Sequence, residues 1–341
     1  MIIAKSELKF IIKKINDLPS HCLNKRINCN DLDDRFCDSD VLQIVPSTNP
    51  IFLFPSLGYV VKIISEKANA ENELQARLVL DPYFHIIPAN SIPFKDKSLI
   101  VMPFLSDSLM LSDLSKINFK LFSKEFVSLF GTFYSYIVNN IKTDYSSLKR
   151  VRFAGRSLNC LKDWLKELIA FNNDIKLFSV HAKKGYDFEK ELKKALEAIS
   201  ISPKECCVFS GDFNLHNTLY SKGTIYLVDF EYWGVFDVDY LFSILLGSLL
   251  IHCDLIESET ILYSKNSIVM IDYHIKKGFM SIIQGIKQIS IFYGYEPNYS
   301  RVKAFVLARM YYRLIEIKHD TPTSNKTLSI LSLILDTFAM L

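Results

Sequence analysis

The sequence predicts an α+β chain: a small β-rich lobe followed by a large, mainly helical one. Three observations carry this reading. Short β-branched and aromatic runs, broken by turn residues, occupy positions 41–65. Long segments with apolar residues at helical spacing dominate from about Asp107 onward. A second set of strand-like runs interrupts those helices at 207–229. With 341 residues the chain has room for two domains, or for one domain with an elaborated lobe. The expected division is an N-terminal helical extension at 1–38, a sheet-plus-helix lobe at 39–105 and a helical lobe at 106–341.

The elements follow in order. SELKFIIKKIND (6–17) has the spacing of an amphipathic helix, and the polar, acidic NCNDLDDRFCDSD after it reads as a loop. VLQIV, IFLF and GYVVKIIS read as three antiparallel strands, separated by the turn-forming PSTNP and PSLG. ANAENELQARLVL predicts a helix with Ala70, Leu74 and Leu78 on one face. Pro88, Pro93 and Pro103 frame a further strand through SLIVMPF. Helical periodicity then returns in FKLFSKEFVSLFGTFYSYIVNNI, LNCLKDWLKELIAF, FEKELKKALEAI and the segments after 240. Between them, CVFS, TLYS and TIYLVDF are strand-like and flank turns.

Composition narrows the function classes. Apolar residues make up 49% and charged residues 23%, an ordinary globular balance. Forty basic against 37 acidic groups, net +3, is too even to point to nucleic acid as the main partner. The seven cysteines form no CxxC pair and are odd in number, so they read as reduced thiols. The first residues lack a cleavage site of signal-peptide type. The longest apolar run, Tyr240–Cys253, is short for a membrane span and reads as a core helix. The expectation is a cytoplasmic protein without stable membrane insertion.

The chemistry concentrates in SGDFNLHNTLYSKGTIYLVDFE, residues 210–231. Phosphoryl transfer asks the protein for positioning, a base for the acceptor hydroxyl and oxygen ligands for magnesium. Asp212 on a turn, Asn217 five positions later and Asp229 at the end of the run IYLV have that composition and order. The D-x-x-x-x-N spacing also arises in ordinary polar loops, where Asp and Asn are common. What separates the readings is Lys62, set in the apolar strand GYVVKII. An ammonium buried there needs a partner. Phosphate contact plus an ion pair with a helix glutamate supplies one. Glu73 stands eleven residues on, with Glu71 as the alternative. Otherwise Lys62 points to solvent from an edge strand.

At these residues the sequence resembles the aminoglycoside phosphotransferase and choline kinase superfamily, small-molecule relatives of protein kinases. The family pattern, HGDxxxxN, a short hairpin, then a strand into IDFE or IDWE, is similar to SGDFNLHN…IYLVDFE. YVVKII and NELQARLVL are similar to the family's lysine strand and glutamate helix, an alignment that favours Glu73. LIVMPFL resembles its hinge. The resemblance runs from about residue 40 to 245 and implies a bilobal protein-kinase-like fold. It further implies ATP and Mg2+ as cofactors and a small-molecule hydroxyl acceptor: a sugar, an aminoglycoside-like compound or an amino alcohol such as choline. By the same resemblance Asp212 is the catalytic base, and Asn217 and Asp229 are the metal ligands. Lys62, oriented by Glu73, holds phosphates. Ser47 and Asn49 contact phosphate from the loop that replaces a glycine-rich one, and Met102 to Phe104 lie beside adenine. Asp237 or Asp239 braces the catalytic loop.

Two departures stand out. Ser210 replaces the family histidine, and Pro46 and Pro50 flank the phosphate loop, removing backbone donors. They motivate the alternative of a catalytically inactive pseudokinase that binds nucleotide or protein. Protein-directed phosphorylation ranks lower, because no APE-like segment follows Asp229. Four other features have both a functional and a packing reading: His216 inside the loop, the thiols Cys206 and Cys207 before it, the aromatics Tyr232 and Trp233 after Glu231, and the basic cluster Lys149, Arg150, Arg152 and Arg156. No HExxH, GxSxG or Rossmann fingerprint occurs.

Overall fold

The computed structural model describes residues 42–44, 49–55, 58–94, 96–153, 157–174, 176–179, 188–230, 232–263, 268–317 and 321–341. The expected helix at 6–17, Ser47, Arg156 and Glu231 lie outside the described residues. The chain divides into two compact units. One runs through Ser108 and takes in Tyr220–Trp233; the other comprises Leu109–Leu219 and Gly234–Leu341.

The first unit contains β1 (Leu42–Ile44), β2 (Ile51–Phe54), β3 (Tyr59–Ile64), α1 (Lys67–Leu80), β4 (His85–Ile86), β5 (Asn90–Phe94) and β6 (Lys97–Pro103). Five of these strands form one antiparallel sheet in the order β1-β2-β3-β6-β5. The two most apolar runs, YVVKII and KSLIVMP, take the interior positions β3 and β6, where both faces are covered. Pro93, which has no amide hydrogen to donate, sits in the edge strand β5. The register sets Val60 opposite Met102 and Lys62 opposite Ile100. Lys62 is therefore on an interior strand and not at an edge.

Helix α1 forms where its spacing predicts, but it does not bury the predicted face. Ala70 is buried, whereas Leu74 is half-buried and Leu78 is 79% exposed. The interior face carries Ala70, Glu73, Ala76, Arg77 and Leu80. The reason is electrostatic and belongs to the site below. The unit is completed by a hairpin segment whose turn, Lys222–Gly223, has φ of 49° and 84°. Two successive positive φ values suit the twist of a two-residue hairpin turn. Its second strand, Thr224–Leu227, pairs in parallel with β4, Tyr226 opposite His85.

The second unit holds α2 (Leu111–Ile117), α3 (Phe119–Asn140), α4 (Tyr145–Leu148), α5 (Leu158–Asp174), α6 (Phe188–Ile199), α7 (Val238–His252), α8 (Phe279–Tyr293), α9 (Tyr299–Ile317) and α10 (Thr321–Met340). Its labelled strands are β7 (Lys176–Ser179), β8 (Cys206–Ser210), β9 (Trp233–Asp237), β10 (Ile256–Tyr263) and β11 (Ile268–Ile275). The segments after 240 are not all helical, as their periodicity suggested. β10 and β11 form an antiparallel hairpin, and β11 pairs in parallel with β7. The alternation of buried Ile271 and Tyr273 with exposed Asp272 and His274 has a period of two, which a helix cannot satisfy.

The core of this unit is aromatic. Phe122, Phe126, Phe130 and Phe133 recur along one buried face of α3. The Phe133 ring lies 5.2 Å from Phe242 of α7, 5.4 Å from Phe209 of β8 and 5.2 Å from Phe213 in the loop after β8. The central helix thus grips the strand and loop that carry Asp212. Helix α7 is buried along nearly its whole length, as expected of its apolar sequence. Among the described residues no helix is long and apolar enough to cross a membrane.

Candidate active site

In the second unit, residues 210–217 leave β8 and turn through a short 3-10 helix, Leu215–Asn217. Side chains alternate across the loop. Phe213 and Leu215 are buried, while Asp212, Asn214 and Asn217 are half-buried and His216 is exposed. Asn214 caps the 3-10 turn: its side-chain oxygen accepts from His216 N at 2.9 Å and Asn217 N at 3.1 Å. Its Nδ2 donates to Asp212 Oδ1 at 3.0 Å. Asn217 Nδ2 donates to the Asp212 carbonyl at 2.9 Å and to Asp212 Oδ2 at 3.1 Å. Two amides therefore fix both carboxylate oxygens of Asp212. Because Asn217 spends its nitrogen on Asp212, its Oδ1 remains as a hard oxygen donor.

Gly211 is required by space. A Cβ there would lie 2.2 Å from Cζ of the buried Phe236 ring. Ser210 is buried, and its hydroxyl has no hydrogen-bond partner among the described residues. Other bonds hold the loop: Leu215 N donates to Ser248 Oγ of α7 at 2.8 Å, and Thr218 Oγ1 donates to the Asn214 carbonyl at 3.0 Å.

Neither Asp237 nor Asp239 hydrogen-bonds the loop among the described residues. Both converge on Arg301 of α9, with contacts of 2.6 Å from Nη2 to Asp237 and from Nη1 to Asp239. Asp237 also caps α7 through Tyr240 N, and Asp239 accepts from Asn298 N at 2.9 Å. Two buried carboxylates share one guanidinium, so one negative charge is surplus. Burial and the neighbouring Asp237 carboxylate push Asp239 up from 3.8 to about 6, against the pull of Arg301.

In the first unit, Lys62 is 2% exposed. Its Nζ lies 3.2 Å from Glu73 Oε2 and 2.7 Å from Asp229 Oδ1. Glu71 is not the partner; it faces Lys67 at the surface at 3.6 Å. Asp229 is 27% exposed and has a φ of 66°. That left-handed backbone is uncommon outside glycine, and outliers of this kind gather at functional sites. Arg77, one turn along α1 from Glu73, holds the other carboxylate oxygen at 2.6 Å. Here is the reason for the α1 face. An ammonium enclosed in the sheet draws a carboxylate inward, and the carboxylate draws a guanidinium, so charged residues displace Leu74 and Leu78 from the interior.

The remaining expected positions are placed as follows. Met102 is buried, and its Sδ lies 3.2 Å from Arg77 Nη2. Phe104 is half-buried and its amide donates to the Gly58 carbonyl at 2.8 Å. Asn49 is half-buried next to Pro50, whose carbonyl accepts from Ile63 N at 2.9 Å. His216 Nδ1 lies 3.0 Å from Ser112 Oγ, and its ring sits 4.6 Å from that of His252. Trp233, Cys206 and Cys207 are buried, and Tyr232 is half-buried. Lys149, Arg150 and Arg152 are exposed.

Thus Lys62, Glu73 and Asp229 meet in one unit, and Asp212 and Asn217 meet in the other. Sequence reasoning missed Asn214, Arg77, Ser248 and Arg301. The first two left a signal: an Asx residue three positions before Asn217, and an acid–base pair at i, i+4. The last two come from distant helices and left none.

No family model matches the chain, and no curated protein matches it. Solved structures do. A choline/ethanolamine kinase family protein from Mesorhizobium loti is 12% identical, with 98% of each chain covered and a TM-score of 0.51. A choline kinase from Cryptosporidium parvum is 12% identical, covering 97% of this chain and 96% of that one, with a TM-score of 0.46. Amicoumacin kinase hAmiN, in complex with AMP-PNP and Ca2+, is 14% identical over 97% and 94%, with a TM-score of 0.47. The first likeness shows the fold: the chain has the α+β protein-kinase-like fold, with a β-rich and a helical part, that the resemblance implied.

Two outcomes follow from this geometry. Gly211→Ala forces the buried Phe236 ring to move, and denaturant unfolding is expected to show a loss of about 1–3 kcal/mol. Asp239, whose acidity is weakened by folding, contributes stability that is complete below pH ~4 and is lost as pH rises through about 6. Asp239→Asn is expected to remove that decline, up to about 3 kcal/mol across the window. Unfolding free energies of both proteins at intervals from pH 4 to 7 check it; parallel curves contradict it.

Proposed function

We propose that this chain is an ATP-dependent phosphotransferase that moves the γ-phosphoryl group to a hydroxyl of a small molecule. The observation that carries the reading is Lys62: an ammonium enclosed in an interior strand and held between Glu73 and Asp229. A lysine placed there only for stability is poorly explained, since apolar residues of similar volume serve a core as well or better.

Asp229 of the first unit and Asn217 of the second each carry a hard oxygen, the donor chemistry that a divalent cation of the magnesium type takes. When bound, such a cation neutralises phosphate charge during transfer. Lys62 turns its ammonium from Asp229 to the phosphates and keeps Glu73. Asp212, its carboxylate oriented by the Asn214 and Asn217 amides, accepts the proton of the acceptor hydroxyl. Met102 and Phe104 flank the adenine, and Asn49 contacts phosphate. The first unit is the nucleotide-binding part and the second carries the acceptor. The acceptor is a sugar, an aminoglycoside-like compound or an amino alcohol, and the protein acts in the cytoplasm.

The orphaned Ser210 hydroxyl favours a second reading, in which nucleotide binds without turnover. ADP release with Mg-ATP across a panel of these acceptors separates the two. The expected result is acceptor-dependent release that falls by about 10²-fold or more in Asp212→Asn, the scale of a lost general base, and that is lost in Asp229→Ala. A wild type that gains thermal stability from Mg-ATP yet never turns over moves the inactive reading ahead. A wild type that does neither overturns both.

A further inference from the structure

Arg77 has no part in the chemistry above, yet it occupies an expensive position. Its side chain is buried, and Nε has no hydrogen-bond partner among the described residues. An enclosed guanidinium with an unmet N–H costs stability that an apolar residue at the same place would spare. Nη2 reaches Glu73 Oε1 at 2.6 Å and Met102 Sδ at 3.2 Å. Nη1 donates to the Ile87 carbonyl. The guanidinium carbon sits 5.1 Å from the centroid of Phe230, the residue after Asp229.

The charges explain the arrangement. Two carboxylates, Glu73 and Asp229, face two cations, Lys62 and Arg77. Arg77 approaches Glu73 more closely than Lys62 does, 2.6 Å against 3.2 Å. Glu73 thus has Arg77 as its nearer cation, with Lys62 on its other oxygen. Without Arg77, Lys62 would offset both carboxylates among the described residues, and its field at an incoming phosphate would be weakened.

We propose that Arg77 is a positioning residue of the nucleotide site: it neutralises Glu73 so that the Lys62 charge stays available for phosphate. The inference rests on the phosphotransferase reading, and its test needs no acceptor. Binding of Mg2+ with a non-hydrolysable ATP analogue is measured by calorimetry for wild type, Arg77→Met, Lys62→Met and the double variant. Arg77→Met is expected to bind about tenfold more weakly, and the double variant no more weakly than Lys62→Met alone, because coupled residues do not add. Arg77→Lys, which keeps the charge but not the fork, is expected to recover part of the loss. A purely structural Arg77 gives losses that multiply in the double variant, and that result overturns the proposal. So does wild-type affinity in Arg77→Met. If Arg77→Met does not fold, Arg77→Lys takes its place in the same cycle, under the same criterion. A wild type that binds no Mg-nucleotide is a different failure, since it removes the phosphotransferase reading itself.

Discussion

Enclosing one lysine in the middle of a sheet is the constraint on which the first unit depends. Lys62 sits on β3, with β2 on one side and β6 on the other, and almost none of it reaches water. A charge in that position is tolerable only with partners at hydrogen-bond distance. Glu73 must therefore face inward, and that requirement sets the rotation of α1 about its axis. Arg77 follows one turn later, and Leu78 is left on the surface. The helix is oriented by ion pairing, not by its apolar stripe. The same lysine reaches Asp229, whose backbone is held in a left-handed conformation.

The second unit solves a different problem. Its loop must present a carboxylate without burying it, and must do so without the histidine that the family pattern leads one to expect. Apolar anchors hold it from below: Phe213 packs on Phe133 and Phe209, and Leu215 is fully enclosed. Amides hold it from above, with Asn214 and Asn217 on the two oxygens of Asp212. Gly211 lets the chain pass against the Phe236 ring. A loop pinned this way has lost its conformational freedom before any ligand arrives, which is the condition under which positioning contributes to rate. The buried Ser210 hydroxyl adds no bond to that set among the described residues.

Much of this was legible in advance, for identifiable reasons. Strands β1, β2, β3 and β6 and the helices at 119–140, 158–174 and 188–199 appear where the sequence pattern put them, whereas the short β4 and β5 were not anticipated. Asp212, Asn217, Asp229, Lys62 and Glu73 were found because charged and amide groups stand out against apolar surroundings. The hairpin at 256–275 was lost among helices because short apolar runs satisfy both periods until a partner strand is known. The choice between Asp237 and Asp239 had no answer in sequence. Both belong to Arg301, which lies more than sixty residues away in the chain.

By itself, then, the sequence determined the order and kind of most elements, the α+β division and the identity of the candidate site residues. These are local properties, carried by spacing, turn chemistry and residue type. Only the tertiary structure decided which face of α1 is buried, which glutamate serves Lys62, that Arg77 joins them, and that Asn214 and Ser248 hold the loop. Each of those outcomes is a partnership between groups on different elements. The desolvation of a charge, or of a backbone amide, is set by what surrounds it, and no window of sequence contains its surroundings.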